Sequence, residues 1–159
     1  MDQIPDITTY IIGWRSWIVN SDRLLGVRYE TCRLVNILPI IWLPREALHA
    51  KHHEYWVVLP SLDEISHTAP ARSCTCGIYA MKTLEQFYTP EFTFAECIYR
   101  LWKISHMDIG RVALWGRISE HENGYRAEFA YPLSLFYASD TIFKQYGIVQ
   151  EETPTSSSL

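Results

Sequence analysis

The chain has 159 residues, 48% of them hydrophobic and 20% charged, and a formal net charge of −4 from 14 Lys+Arg against 18 Asp+Glu. A single domain of this length buries roughly 70% of its unfolded surface, so neither a disulfide nor a metal is required merely to form a core. The acidic balance leaves no cationic excess for neutralising phosphates, which argues against broad nucleic-acid or anionic-membrane binding.

Six Trp and ten Tyr point to a β-leaning, well-packed domain. Residues 1–6 carry no charged-then-apolar leader. The apolar run 37–43 contains Pro39 and ends at Pro44, far short of the ~18 residues of a membrane helix. The expectation is a cytoplasmic chain with no membrane span. It comprises one globular domain over 1–149 and a polar, disordered tail over 150–159 that contains Pro154 and a Ser run.

Residues 10–19 are β-branched and aromatic and predict a first strand. Asn20-Ser21-Asp22 predicts a turn, and the alternation over 24–35 a second strand, hairpin-related to the first. The run 37–43 predicts an edge or broken strand, because Pro39 cannot donate to a ladder. Good helix formers over 45–53 predict one or two helical turns, and 55–59 another strand. The stretch 60–77 holds Pro60, Pro70 and Gly77, lacks any period and predicts a long irregular loop. Thr83-Leu84-Glu85-Gln86 is a capping box for a short helix that Pro90 stops, and 93–104 has helical spacing behind a similar box.

Asn123-Gly124 between two alternating runs predicts a hairpin over 110–131, with a type I′ turn that pairs 122 with 125 and 118 with 129. That register places Val112, Leu114 and Ile118 on one face with Ala127, Phe129 and Tyr131. Arg117, Ser119, Arg126 and Glu128 share the other. Gly116 inside the first strand predicts a bulge or sharp coiling. Asp140 is the expected cap of a short helix to Tyr146, with Gly147 at its C-cap. The fold class expected is α+β and β-rich. It is a coiled antiparallel sheet or partial barrel with two or three short helices and a metal-clipped loop.

The chemistry-bearing residues concentrate in that loop. Zn²⁺ takes Cys sulfur and His nitrogen tetrahedrally, and four protein ligands close a structural site. The leading ligand set is His52, His67, Cys74 and Cys76, with His49 or His53 able to replace His52. Metal binding would order a loop that has no regular backbone pairing. The competing readings are small buried thiols beside a surface imidazole, or a redox or nucleophilic thiol served by His67 or His121. Trp14, Arg15 and Trp17 form a candidate partner-binding platform, since Trp and Arg are favoured anchors, and core packing is the alternative for the same residues.

Trp42-Leu43-Pro44, Ala50-Lys51-His52, His67-Thr68-Ala69-Pro70 with Cys74-Thr75-Cys76-Gly77-Ile78-Tyr79-Ala80, and Leu114-Trp115-Gly116-Arg117 with His121 and Gly124-Tyr125-Arg126-Ala127-Glu128 occur in that order. Together they resemble a set of small uncharacterised bacterial proteins over roughly residues 13–135. The two longer motifs are the specific ones. The resemblance implies no activity. It does imply that Cys often stands where this chain has His52, and Cys and His interchange as zinc ligands but not as packing residues.

No P-loop, Rossmann fingerprint, Gly-x-Ser-x-Gly or His-Glu-x-x-His occurs. The function expected is therefore a non-enzymatic, zinc-stabilised protein-interaction module. It would be an accessory or regulatory subunit binding another protein in a bacterial system such as defence or transcription control. The alternatives are a zinc- or Cys-dependent hydrolase using Glu54 or Glu64 as base, and a nucleic-acid-binding barrel.

Overall fold

Strand formation follows the β-branched and aromatic runs. In the computed structural model, which describes residues 9–26, 40–50, 67–72, 76–88 and 106–153, the first run forms β1 (Ile11–Asn20). It turns at Ser21-Asp22, with Ser21 at φ 45°, into antiparallel β2 (Arg23–Gly26). β2 pairs in turn with β3 (Ile40–Trp42), which ends the sheet as the nearby prolines led one to expect.

The helix expected over 45–53 is not formed in its described part. Leu48–His49 is instead a short strand, β4, on the edge of the later hairpin. Local helix propensity is worth a few tenths of a kcal/mol per residue, and ladder pairing outweighs it. The strand expected over 55–59 and the helix over 93–104 lie outside the described residues. β5 (Ile78–Met81) follows the loop, and the 83–86 capping box opens a 3₁₀ turn, Leu84–Tyr88. There the Thr83 amide donates to Gln86 Oε1 at 2.9 Å.

The hairpin is built from β6 (His106–Glu120) and β7 (Gly124–Pro132). Its register corrects the expected one, for Glu120 faces Tyr125 and Ile118 faces Ala127. Neither Asn123 nor Gly124 takes a positive φ, so the type I′ turn is absent and the chain reverses over 121–124. The cause is tertiary. Gly124 pairs with Met81 of β5, and a Cβ there would stand 2.4 Å from the Ala80 carbonyl oxygen. Sheet closure needs the glycine for close approach and withdraws it from the turn.

The bulge expected at Gly116 is present. The register shifts between Trp115 and Ile118, and Gly116 sits at φ +75°. One extra residue on β6 exchanges the faces beyond it. Leu114 therefore faces Ala130, both fully buried, while Phe129 leaves the core face and stacks half-buried on Trp115 at 5.8 Å between ring centroids.

β1 pairs with β6 from Ile11↔Leu114 to Val19↔His106, β6 with β7, and β7 with β5. The pair Trp14↔Met81 joins β5 back to β1 and closes the circuit. Trp17, Leu24, Val112, Leu114 and Ala127 pack inside, and Trp17 meets Trp42 edge-on at 5.5 Å.

Helix α1 (Asp140–Tyr146) seals the core with Ile142 and Tyr146, one turn apart and fully buried. Ser139, not Asp140, caps it by accepting from the Ile142 amide at 3.4 Å, and Gly147 ends it in the left-handed region. It is the single α-helix among the described residues, where two or three short helices were expected. β8 (Ser134–Leu135), before the helix, pairs in parallel with β9 (Val149–Gln150), after it. No helix among the described residues is long and apolar enough to cross a membrane.

Candidate functional site

Two chain segments meet on one edge of β7. β5 occupies that edge opposite residues 124–127, and β4 continues along it opposite Phe129 and Ala130. The Ala50 amide then donates to the Glu128 carbonyl at 2.7 Å. The chain leaving β4 and the chain entering β5 through Cys76 and Gly77 thus converge beside Glu128.

Two of the four candidate ligands are brought together here. His67 Nε2 lies 3.2 Å from Cys76 Sγ. Cys76 is 4% exposed, and His67 is half-buried. His52 and Cys74, like the substitute His53, lie outside the described residues. Among the described residues no group of three His, Cys, Asp or Glu side chains could hold a metal, so the expected metal-clipped loop is not part of the described architecture. His49, the other substitute, is engaged elsewhere. Its Nε2 is 3.7 Å from Glu128 Oε1, and its ring stacks on Phe129 at 4.4 Å.

Sequence reasoning did not place Arg126 in the interior: alternation set it on the face shared by Arg117, Ser119 and Glu128, yet it is 5% exposed. Its Nη1 donates to the Cys76 carbonyl at 3.1 Å and its Nε to His121 Nε2 at 2.8 Å. Nη2 lies 3.5 Å from Ser119 Oγ, and the guanidinium sits 6.0 Å from the Tyr79 ring centre. One side chain therefore ties the Cys-x-Cys-Gly segment to the Gly-Tyr-Arg-Ala-Glu segment. The only sequence signal for this was the presence of both motifs in one chain, because pairing between β5 and β7 is not local. Glu128 instead accepts the Arg117 amide at 3.0 Å.

The candidate partner platform divides. Trp17 is fully buried and belongs to the core, not to an accessible surface. Arg15 is 5% exposed, donates to the Tyr79 carbonyl and lies 5.5 Å from the Trp42 ring centre, so it too is internal. Trp14 is half-buried. It lines a cavity of about 230 Å³ with Tyr79, Met81, Phe87, His121 and Tyr125, at the place where β5 closes on β1. A cavity of about 150 Å³ admits benzene in another protein, so this one is large enough in volume for a single aromatic ring.

Buried carboxylate and phenol groups elsewhere are structural. Asp108 Oδ1 accepts the Ile109 and Phe136 amides at 2.8 and 3.2 Å, and Oδ2 accepts that of Tyr137 at 2.8 Å. Burial raises its carboxyl above the usual value in spite of these donors. Burial likewise raises the phenols of Tyr131 and Tyr146.

No protein-family model, no curated protein and no solved structure matches the chain.

Proposed function

We propose that this chain is a β-rich protein-interaction module, an accessory or regulatory subunit of a bacterial system, whose 60–77 loop is clipped by a structural Zn²⁺ ion on His52, His67, Cys74 and Cys76. The observation that carries the reading is the 3.2 Å approach of His67 Nε2 to Cys76 Sγ. Zn–N bonds of about 2.0 Å and Zn–S bonds of about 2.3 Å at a tetrahedral angle put these atoms about 3.5 Å apart, close to the observed separation.

Chain length supports the other two ligands. His52 follows Ala50 by two residues and Cys74 precedes Cys76 by two, and two residues span at most about 7 Å. Chain length therefore does not bar either residue from joining His67 and Cys76.

The hydrolase alternative is weaker because Cys76 is 4% exposed and its carbonyl is held by Arg126. A nucleophile must be reached by its substrate, whereas a structural ligand need not be. The net charge of −4 weighs against a nucleic-acid barrel. Of the three partner-binding candidates, Trp14 and Arg15 both line the cavity, and Trp14, the more exposed of the two, keeps that role in this reading.

Elemental analysis of full-length protein purified without chelator tests the metal, with about one zinc per chain expected. Protein that stays zinc-free after incubation with Zn²⁺ overturns the site. Native co-purification that recovers no stable partner counts against the interaction role.

A further inference from the structure

We propose that the cavity where β5 closes on β1 binds a small neutral molecule built on one aromatic ring with one hydrogen-bonding substituent, a phenol-type ligand. The inference uses none of the zinc ligands, so it stands or falls apart from the zinc reading.

Size sets the first limit. The cavity holds about 230 Å³. A cavity of about 150 Å³ takes benzene in another protein, which leaves space here for a ring and one substituent. Sites for drug-sized ligands run from about 300 to 1,000 Å³, so nucleotides and other multi-ring molecules are too large.

The walls favour an aromatic guest and are held in place. Tyr79 and Met81, two apart on β5, project from the same face of that strand, and Trp14 stands opposite Met81 on β1. Phe136 stacks nearly parallel on Trp14 at 6.1 Å between ring centroids, which fixes that wall. Phe87, 3% exposed, comes from the 3₁₀ turn that the Thr83 amide and Gln86 tie together. Tyr125 adds a further ring from β7. Rings prefer stacked or edge-on neighbours, and a thioether makes favourable contacts with a ring edge.

Charge decides among aromatic guests. Lys82 Nζ lies 5.5 Å from the Tyr125 ring centre, and the Arg126 guanidinium 6.0 Å from that of Tyr79. Two of the ring walls already meet cations, so an ammonium ligand is repelled where it would otherwise be held. These cations are themselves engaged. Lys82 pairs with Glu120 at 2.7 Å, Arg126 donates to the Cys76 carbonyl and to His121, and Arg15 donates to the Tyr79 carbonyl. A carboxylate would lose water without gaining a dedicated partner. A neutral polar substituent meets His121 and Asn123, the exposed side chains of the lining. Since His121 Nε2 accepts from Arg126, its proton is on Nδ1, and the imidazole offers a donor to a phenol oxygen.

The test titrates isotope-labelled full-length protein with p-cresol and follows the amide resonances. Saturable shifts at Met81, Gly124 and Tyr125 are expected, with a Kd of about 1 mM or tighter. The ring-saturated analogue of p-cresol, p-toluate and benzyltrimethylammonium should each bind about 10-fold more weakly or worse. Trp14→Leu should weaken p-cresol about 10-fold. Trp115→Leu alters the stack on Phe129 outside the cavity and should leave the affinity unchanged. If Trp14→Leu does not fold, Tyr125→Leu carries the same comparison. A tyrosine side chain on a partner has the same ring chemistry, and a blocked Gly-Tyr-Gly peptide separates the two sources. Weaker binding of the peptide than of p-cresol supports the free molecule, and tighter binding overturns it. The proposal also fails if no shift saturates by about 10 mM, if shifts spread away from the lining, if the saturated analogue binds as well, or if either ion binds more tightly.

Discussion

The hydroxyl of Tyr146 donates to the backbone carbonyl of Trp42 at 2.6 Å while accepting the Leu24 amide at 3.0 Å. One side chain on α1 thereby satisfies polar backbone on both β2 and β3. Tyr131 extends the link, donating to the Tyr146 carbonyl at 2.6 Å and accepting the Arg45 amide at 2.9 Å. The two-strand edge of the sheet is held to the core by these hydroxyls as well as by apolar packing.

Tyr146→Phe keeps the ring and removes the hydroxyl, leaving a buried carbonyl and a buried amide unmatched. The expected loss is about 1–3 kcal/mol. Urea denaturation followed by circular dichroism should show a lower midpoint and an unchanged slope. A wild-type midpoint would show that this hydroxyl contributes nothing net.

Gly116→Ala places a methyl at φ +75°, 2.8 Å from both Glu128 Oε2 and Phe129 Cδ2. Backbone strain and the clash together are expected to cost about 1–3 kcal/mol. For a chain of this size each kcal/mol lowers the melting temperature by about 2–4 °C. A scan showing no fall would mean that the bulge does not require glycine.

Asp108 gives stability a pH dependence of definite sign. Burial raises its folded-state pKa above the ordinary 3.8, and the Tyr137, Ile109 and Phe136 amides only partly offset this. The folded chain therefore holds the proton more tightly than the unfolded one. The stabilisation is complete below 3.8 and disappears as pH rises through the folded-state value. Each unit between the two pKa values is worth about 1.4 kcal/mol. Asp108→Asn removes the titration, though it sets an amide N–H₂ against the Tyr137 donor. The stability advantage of wild type over this variant should shrink as pH rises through that window. An advantage that grows with pH would refute the assignment.

On the zinc proposal, protein stripped of the ion should have a lower melting temperature, because metal-binding free energy contributes to folding. His67→Ala should lower both zinc content and melting temperature. In excess chelator the variant should lose little more than wild type, since both then lack the ion. Unchanged zinc and melting temperature in His67→Ala would remove His67 from the ligand set.

Residues 10–19, Pro39 and Gly116 announced β1, an edge position for β3 and a bulge in β6, and the described structure has all three. Each is a short-range signal, set by β-branching, a missing amide hydrogen or tolerance of positive φ. The hairpin register was misread because the demand on Gly124 comes from β5, more than forty residues earlier in the chain. His67 and Cys76 were legible as chemistry-bearing residues from their type and spacing. The burial of Arg126 was not legible, because nothing local marks an arginine in an alternating strand as interior.

The sequence by itself determined where strands could form, how the Gly147 end of α1 is made and which residue types are capable of metal chemistry. Those properties are carried by single residues and their immediate neighbours. Only the tertiary structure decided that Trp17 and Arg15 turn inward, that Gly124 serves sheet closure, and that Cys76, His67, Arg126 and His121 form one cluster. The physical reason is that burial and strand pairing depend on segments far apart in the chain. Their combined packing and hydrogen bonding outweigh the fractions of a kcal/mol that set local preference.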